Sequence, residues 1–277
     1  MTLAWSEDFE PGRLRPLPVL QLPQPASEWA WGGADGAGVR VAVVDSGVDA
    51  GHPLVGGVAG GVVFEADLDS VTGVRIDERA HGDLAGHGTA CAGVVRRLAP
   101  ACEIWSLRVL GETMRGRAVV FAAALEWATQ QRFDVINLSL STSNPAWYGR
   151  LHELTDAAYF AGCILVSAVN NVPKATYPSE FASVLSVASS GGPDAPLAVN
   201  VSPPAEFGAP GVDIEVAWLN GGTAVVSGNS FSAAHVSGLA ALIRSKHPGL
   251  APPAVKATLA AASVNARPLP APTSQNS

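Results

Sequence analysis

The sequence predicts a three-layer α/β fold, a mostly parallel central sheet flanked by helices. Two observations carry this. Short apolar runs rich in β-branched residues recur along the chain, and longer stretches with helical periodicity separate them. Strands joined through helices are βαβ units, whose strands run parallel and are covered on both faces.

Residues 1–26 precede this pattern. They are punctuated by Pro11, Pro16, Pro18, Pro23 and Pro25 and show neither period, which predicts an N-terminal arm. Residues 39–44 (Val-Arg-Val-Ala-Val-Val) read as a buried strand that ends at Asp45, and residues 84–95 as a helix of small residues. A strand over 103–109 leads to a helix over about 117–131. The strand 135–140 leads to a helix around 147–160. The runs at 163–168 and 184–188 repeat the strand pattern, and helices over about 231–246 and 253–262 follow. The core domain is thus expected over 27–263, with a Pro-rich flexible tail over 264–277.

Composition narrows the function. With 17 basic against 24 acidic residues the net charge is −7, which argues against a nucleic-acid surface. No apolar run reaches the ~18 residues of a membrane span. The first residues lack the basic and apolar regions of a secretory signal, so the expected location is cytoplasmic. Cys91, Cys102 and Cys163 are an odd, widely spaced set, which suits neither a zinc site nor a disulfide framework.

Three segments carry chemistry. Val44-Asp45-Ser46-Gly47 sets a carboxylate at a strand end. Gly86-His87-Gly88-Thr89 sets an imidazole at a helix start, and Gly228-Asn229-Ser230-Phe231-Ser232 sets a serine at another. Each alone is ordinary, as a strand-end cap, a packed histidine and a helix cap. Together they supply a nucleophile, a base that titrates near neutral pH and a carboxylate to orient that base. Asn170, just past the strand 163–168, is the candidate donor to an oxyanion.

At these residues the chain resembles the subtilase family, whose members carry Asp, His and Ser in this order. The resemblance spans roughly residues 28–263. Trp31, Leu98-Ala99-Pro100, Asp134-Val135-Ile136-Asn137-Leu138-Ser139-Leu140, Tyr177-Pro178-Ser179 and Phe207-Gly208-Ala209-Pro210-Gly211 agree with it. It implies a subtilisin-like fold and a serine endopeptidase with Asp45, His87 and Ser230 as catalytic triad, Asn170 as oxyanion donor, no cofactor and a peptide or protein substrate. It places Ser139, Leu140, Ser141, Ser167, Ala168 and Val169 around the pocket for the residue before the scissile bond. His235 is implied to be structural, and His52 reads as a turn residue.

The departures from the family are informative. Asn229, Ser232 and Ala234 stand where the family usually has Thr, Ala and Pro; the Asn229 amide is expected either to replace the Thr hydroxyl as a secondary donor or to leave the oxyanion less well held. Val169 and Ser141 replace pocket glycines, which predicts a narrowed pocket that prefers a small residue. Cys91, one helical turn after His87, resembles the cysteine of the proteinase K-like branch, or is a small buried filler. The calcium-binding loop that many secreted members insert after the histidine is missing, and no metal site of that kind is expected. The short N-terminal region resembles that of intracellular members, in which such extensions can lie across the active site, so residues 1–26 are expected either to inhibit or to form an inert arm. A restricted processing protease, such as one removing a leader peptide, is the expected role. A peptide ligase or cyclase on the same chemistry, or an inactive binding protein of the same fold, are the alternatives.

Overall fold

The structure, a computed structural model, describes residues 25–200 and 204–266. The N-terminal arm therefore lies outside the described residues up to Gln24, and the tail does so from Arg267. The folded part takes in Ala26, which opens helix α1 (Ala26–Trp31) and is buried. Val264 and Asn265, expected in the tail, bond to Leu197 and Val199, so the folded part also extends past residue 263.

The nine-stranded sheet has the order β3-β2-β4-β1-β5-β6-β7-β9-β8. Its members are β1 (Arg40–Asp45), β2 (Gly60–Ala66), β3 (Val74–Glu78), β4 (Glu103–Arg108), β5 (Val135–Leu138), β6 (Ile164–Ala168), β7 (Leu185–Gly191), β8 (Ala198–Val199) and β9 (Phe207–Pro210). Neighbours pair in parallel throughout, except the edge strands β3 and β8. A hairpin of β10 (Ile214–Ala217) and β11 (Thr223–Val226) stands apart from it.

Two apolar layers follow from the two-residue period of the strands. On one face Val41, Val43, Ile104 and Val166 pack against α2 (His87–Leu98), α5 (Asn229–Lys246) and α6 (Pro252–Ala262). On the other, Ala42, Val44, Leu107 and Leu165 pack against α3 (Ala118–Gln130) and α4 (Tyr148–Phe160). Helix α5 is the internal pillar, with all but six of its 18 residues buried.

Strand β1 lies between β4 and β5, where the chain's progress across the sheet reverses direction. Such a switch point opens a crevice at the carboxyl ends of the strands, the usual place for a site in an α/β sheet. Asp45 sits there at the end of β1, and Ser139 and Val169 follow directly on β5 and β6.

Candidate active site

Helix α2 starts at His87, three residues later than its composition suggests. The cause is Asp83. Its Oδ1 accepts from the backbone N–H groups of Ala85 and Gly86 and from the Ser46 hydroxyl; its Oδ2 accepts from the Thr89 N–H and hydroxyl. These bonds hold residues 84–86 out of the helix, and Gly86 takes φ +88°, which a side chain would resist. Burial opposes the charge of Asp83, but the bonds from Thr89, Ala85 and Ser46 outweigh it and its carboxyl is held below the usual value.

The same turn brings α2 against the end of β1. A Cβ on Gly88 would meet the Gly47 carbonyl oxygen at 2.0 Å, so only glycine permits this approach. As a result the His87 Nδ1–H donates to both oxygens of Asp45, at 2.8 and 2.9 Å. Asp45 is fully buried and also accepts the Ser46 N–H at 2.8 Å. Burial disfavours the His87 imidazolium, yet the Asp45 carboxylate beside it prevails and its pKa lies well above the ordinary value. Cys91 lies 4.0 Å from Nδ1. Burial pushes its thiol up, so it stands beside the imidazole as a neutral group near pH 7.

Ser230 is the second residue of α5 and partly exposed. Its hydroxyl points to the Ser139 carbonyl at 3.5 Å, and its own carbonyl accepts from the Ser139 hydroxyl at 3.5 Å. The Phe231 ring lies 5.5 Å from the His87 ring, which brings the start of α5 against the start of α2. In this rotamer Ser230 makes no hydrogen bond to His87; such bonds commonly tighten only when substrate is bound.

Below the serine runs a buried polar chain. Ser237 donates to Asn137 Oδ1 (3.0 Å), Asn137 Nδ2 donates to Ser139 Oγ (2.9 Å), and Cys91 Sγ lies 3.4 Å from that oxygen. It ties α5, β5 and α2 together. A polar residue inside the otherwise apolar strand Val-Ile-Asn-Leu was the signal for it, since a buried amide needs partners.

Asn170 follows β6. Its Oδ1 accepts the Val172 N–H at 3.1 Å, which fixes the amide orientation and leaves Nδ2 as the available donor. Asn229 behaves differently. Its Oδ1 accepts the Ser189 N–H on β7, and its Nδ2 donates to the carbonyls of Val169 and Asn170. The expectation that this amide could meet an oxyanion is therefore corrected: Asn229 is a strut that braces the Asn170 loop against β7. Its backbone N–H is in turn held by Asn171 Oδ1 at 2.9 Å. Ser232 bonds to the Ala209 carbonyl on β9, and Ala234 lies inside the unbroken α5.

Of the pocket residues, Leu140, Ser141 and Val169 are partly exposed, whereas Ser139 and Ala168 are nearly buried. Ser167 is fully buried, and its hydroxyl has no hydrogen-bond partner among the described residues. His235 lies on α5 away from the carboxylates; burial and then Arg97 push it down to about 4, which keeps it neutral. His52 is buried in its turn, bonding the Gly222 carbonyl and the Leu54 N–H. Helix α2 continues unbroken from His87 to Leu98, with no inserted loop. Among the described residues, Asp45, His87 and Cys91 are the one group with metal-ligand spacing, within 4.8 Å of one another. A metal there would have to displace the Asp45–His87 hydrogen bond.

Comparison with known proteins supplies the family. The model of the subtilase family matches residues 36–275. The chain belongs to the subtilase family. It is thus a subtilisin-like serine peptidase by family, a hydrolase. Subtilisin DY of Bacillus licheniformis is 31% identical over 249 residues, which cover 84% of this chain and 86% of that one. Subtilisin NAT of Bacillus subtilis subsp. natto is 30% identical, and the match covers 84% of this chain and 62% of that relative. Among solved structures, the S41 psychrophilic protease superposes with a TM-score of 0.69 at 25% identity, over 85% of this subtilase and 88% of that chain. Sphericase superposes with a TM-score of 0.67 at 23% identity, over 86% and 89%.

Proposed function

We propose that this subtilase is a serine endopeptidase that works through an acyl-enzyme on Ser230. The observation that carries the reading is the paired bond from His87 Nδ1 to buried Asp45, with the start of α5 packed against the same imidazole. With Nδ1–H given to Asp45, Nε2 is the basic nitrogen. A rotation of the Ser230 side chain away from the Ser139 carbonyl brings its hydroxyl to that base. His87 takes the proton as Oγ attacks the peptide carbonyl, and Asp45 stabilises the imidazolium that forms. Asn170 Nδ2 donates to the developing oxyanion. His87 then returns the proton to the leaving amine, and a water repeats the sequence to release the acyl group.

Ser139, Leu140, Ser141, Ser167, Ala168 and Val169 are assigned to the pocket for the residue before the scissile bond. Val169 and Ser141 narrow it, so a small residue is preferred there. Such selectivity favours restricted processing of a peptide, for example leader removal, in the cytoplasm; residues 1–26 are the candidate inhibitory segment. Among the described residues no helix is long and apolar enough to cross a membrane.

Intact-mass analysis after treatment with a fluorophosphonate tests the reading. One adduct on the chain and none on Ser230→Ala is expected. Absence of an adduct, both on the full chain and after removal of residues 1–24, which spares the start of α1, overturns it.

A further inference from the structure

The segment that begins at Ser139 has two sides. One faces residues 167–169, the proposed pocket for the residue before the scissile bond. The other borders a cavity of about 450 Å³, whose facing wall is the loop between β4 and α3. Met114, Arg115, Gly116 and Arg117 form that wall, opposite Leu140 and Ser141. For a peptide with one residue in the first pocket, the second cavity is the adjoining groove open to the residues before it.

The wall is preformed. Gly111 N–H donates to the Arg115 carbonyl and Met114 N–H to the Gly111 carbonyl, closing the loop on itself. Gly116 lies so close to β4's end that a Cβ there would meet the Val109 carbonyl oxygen at 2.7 Å. The backbone position of both arginines is thereby set, while their side chains are exposed. Among the described residues neither guanidinium has an ion-pair or hydrogen-bond partner, and Glu112 in the same loop pairs with neither.

Arg117 also lines an adjoining cavity of about 230 Å³, with Arg108 and Glu65. Glu65 is already engaged by Arg75 and Arg108. The two cavities together present three guanidinium groups against one carboxylate, on a chain whose net charge is −7. Two unpaired arginines on one groove wall are free to meet a negatively charged ligand without first breaking an internal ion pair.

We propose that Arg115 and Arg117 are specificity residues that select peptides with acidic side chains two to four positions before the scissile bond. This rests on the assignment of Ser230 and its pocket above. Planar guanidinium groups suit carboxylates because two N–H donors can meet two oxygens. At an exposed groove such a pair is modest in strength and is screened by salt.

The test separates recognition from catalysis by using Ser230→Ala in the full chain. Fluorescein-labelled peptides with Glu, Ala or Lys at the second, third or fourth position before a small residue are titrated by anisotropy. At one or more of these positions the Glu peptide is expected to bind about 3–10-fold more tightly than the Lys peptide at low salt, with the gap shrinking at 0.5 M salt. Arg115→Glu with Arg117→Glu, two exposed changes that leave the fold intact, should reverse the order. Indistinguishable affinities across the series, including no measurable binding, overturn the proposal, as does a preference that survives the charge reversal. Fluorophosphonate labelling of the unsubstituted chain reports separately on Ser230, so this inference can fail while the catalytic reading stands.

Discussion

On the Asp45–His87 side of the site Asp83 alone accepts five hydrogen bonds, and Asp45 is buried with its oxygens held by His87 and Ser46. Across the Ser139 segment, the loop 111–118 is closed by the bonds between Gly111 and Arg115 and between Met114 and Gly111, yet leaves two guanidinium groups in solvent. The first region completes its electrostatics within the protein, so little reorganisation is needed when charge develops on the imidazole. The second leaves its electrostatics to be completed by whatever binds. On the proposed reading chemistry and selection lie on two sides of the Ser139 segment, and substitutions on the two sides should differ in kind as well as in size.

The largest effect is expected from Asp45→Asn. An amide cannot stabilise the imidazolium and favours the wrong tautomer; the equivalent change in other serine proteases lowers kcat by about 10⁴, and removing this Asp in subtilisin, a member of the same family, by about 3 × 10⁴. The pH profile sharpens the point. Because His87 is held above the ordinary imidazole value and must be neutral to act, kcat/KM should rise with pH through a midpoint above about 6.5. In Asp45→Asn that midpoint should move down. An unchanged midpoint, read from the residual activity, would show that Asp45 does not set the base.

Asn170→Ala comes next. It removes the one side-chain donor left free by the Val172 bond, and the loss of such a donor in subtilisin costs ~10²–10³ in kcat; because the bond forms only in the transition state, KM should stay unchanged. A comparable loss in Asn229→Ala, if it appeared mainly as lowered thermal stability, would fit a strut rather than a second donor. Equal activity losses in the two variants at full stability would contradict the division made here.

Asp83→Ala tests the supporting network without touching the reacting atoms. It unseats the start of α2 and leaves the Thr89, Ala85 and Gly86 N–H groups without their acceptor, at a cost of about 2–3 kcal/mol in unfolding free energy. The folded Asp83 carboxyl lies below its ordinary value, so the stability it adds is complete above the unfolded value of about 4 and is lost as pH falls through the lower folded value. Denaturant melts from pH 7 downward should show the gap between the chain and Asp83→Ala closing in that acid window. His235 adds an acid-sensitive component common to both proteins: its folded value of about 4 lies below the free one, so stability falls as pH drops from about 6.5.

Much of this was legible in the sequence, for identifiable reasons. Strands β1, β5 and β6 are central, covered on both faces, and so read as nearly continuous apolar runs, and β4 and β7 keep shorter apolar stretches around Ile104, Leu107, Leu185 and Val187. Strands β8 to β11 are two to four residues long and carry no period, while β2 and β3 belong to a sheet edge where half-buried Glu65 and exposed Arg75 interrupt the apolar pattern. Asp45, His87 and Ser230 stood out because three residue types occur in one order. Asp83 did not, because its role depends on Thr89 and Ser46 meeting it in space; only the spacing Asp-Leu-Ala-Gly ahead of the helix hinted at a cap. Arg115 and Arg117 carry no motif at all. Their interest comes from facing Leu140 and Ser141 across a cavity, which no linear pattern displays.

The smallest effect separates shape from charge within the groove. Val169→Gly removes side-chain atoms from the partly exposed rim of the first pocket and leaves the second cavity as it is, whereas Ser141 lines that cavity too and is kept. Matched peptides ending in Ala or Phe before the scissile bond should then converge. The preference for Ala falls by about tenfold, the worth of one or two methylenes in an apolar pocket. Because the proposed acid preference is set across Leu140 and Ser141 on the far side of the segment, it should persist unchanged in Val169→Gly. If widening the first pocket also erased discrimination between Glu and Lys further upstream, the two sides of residues 139–141 would be one coupled site, and selection by size and by charge could not be separate devices.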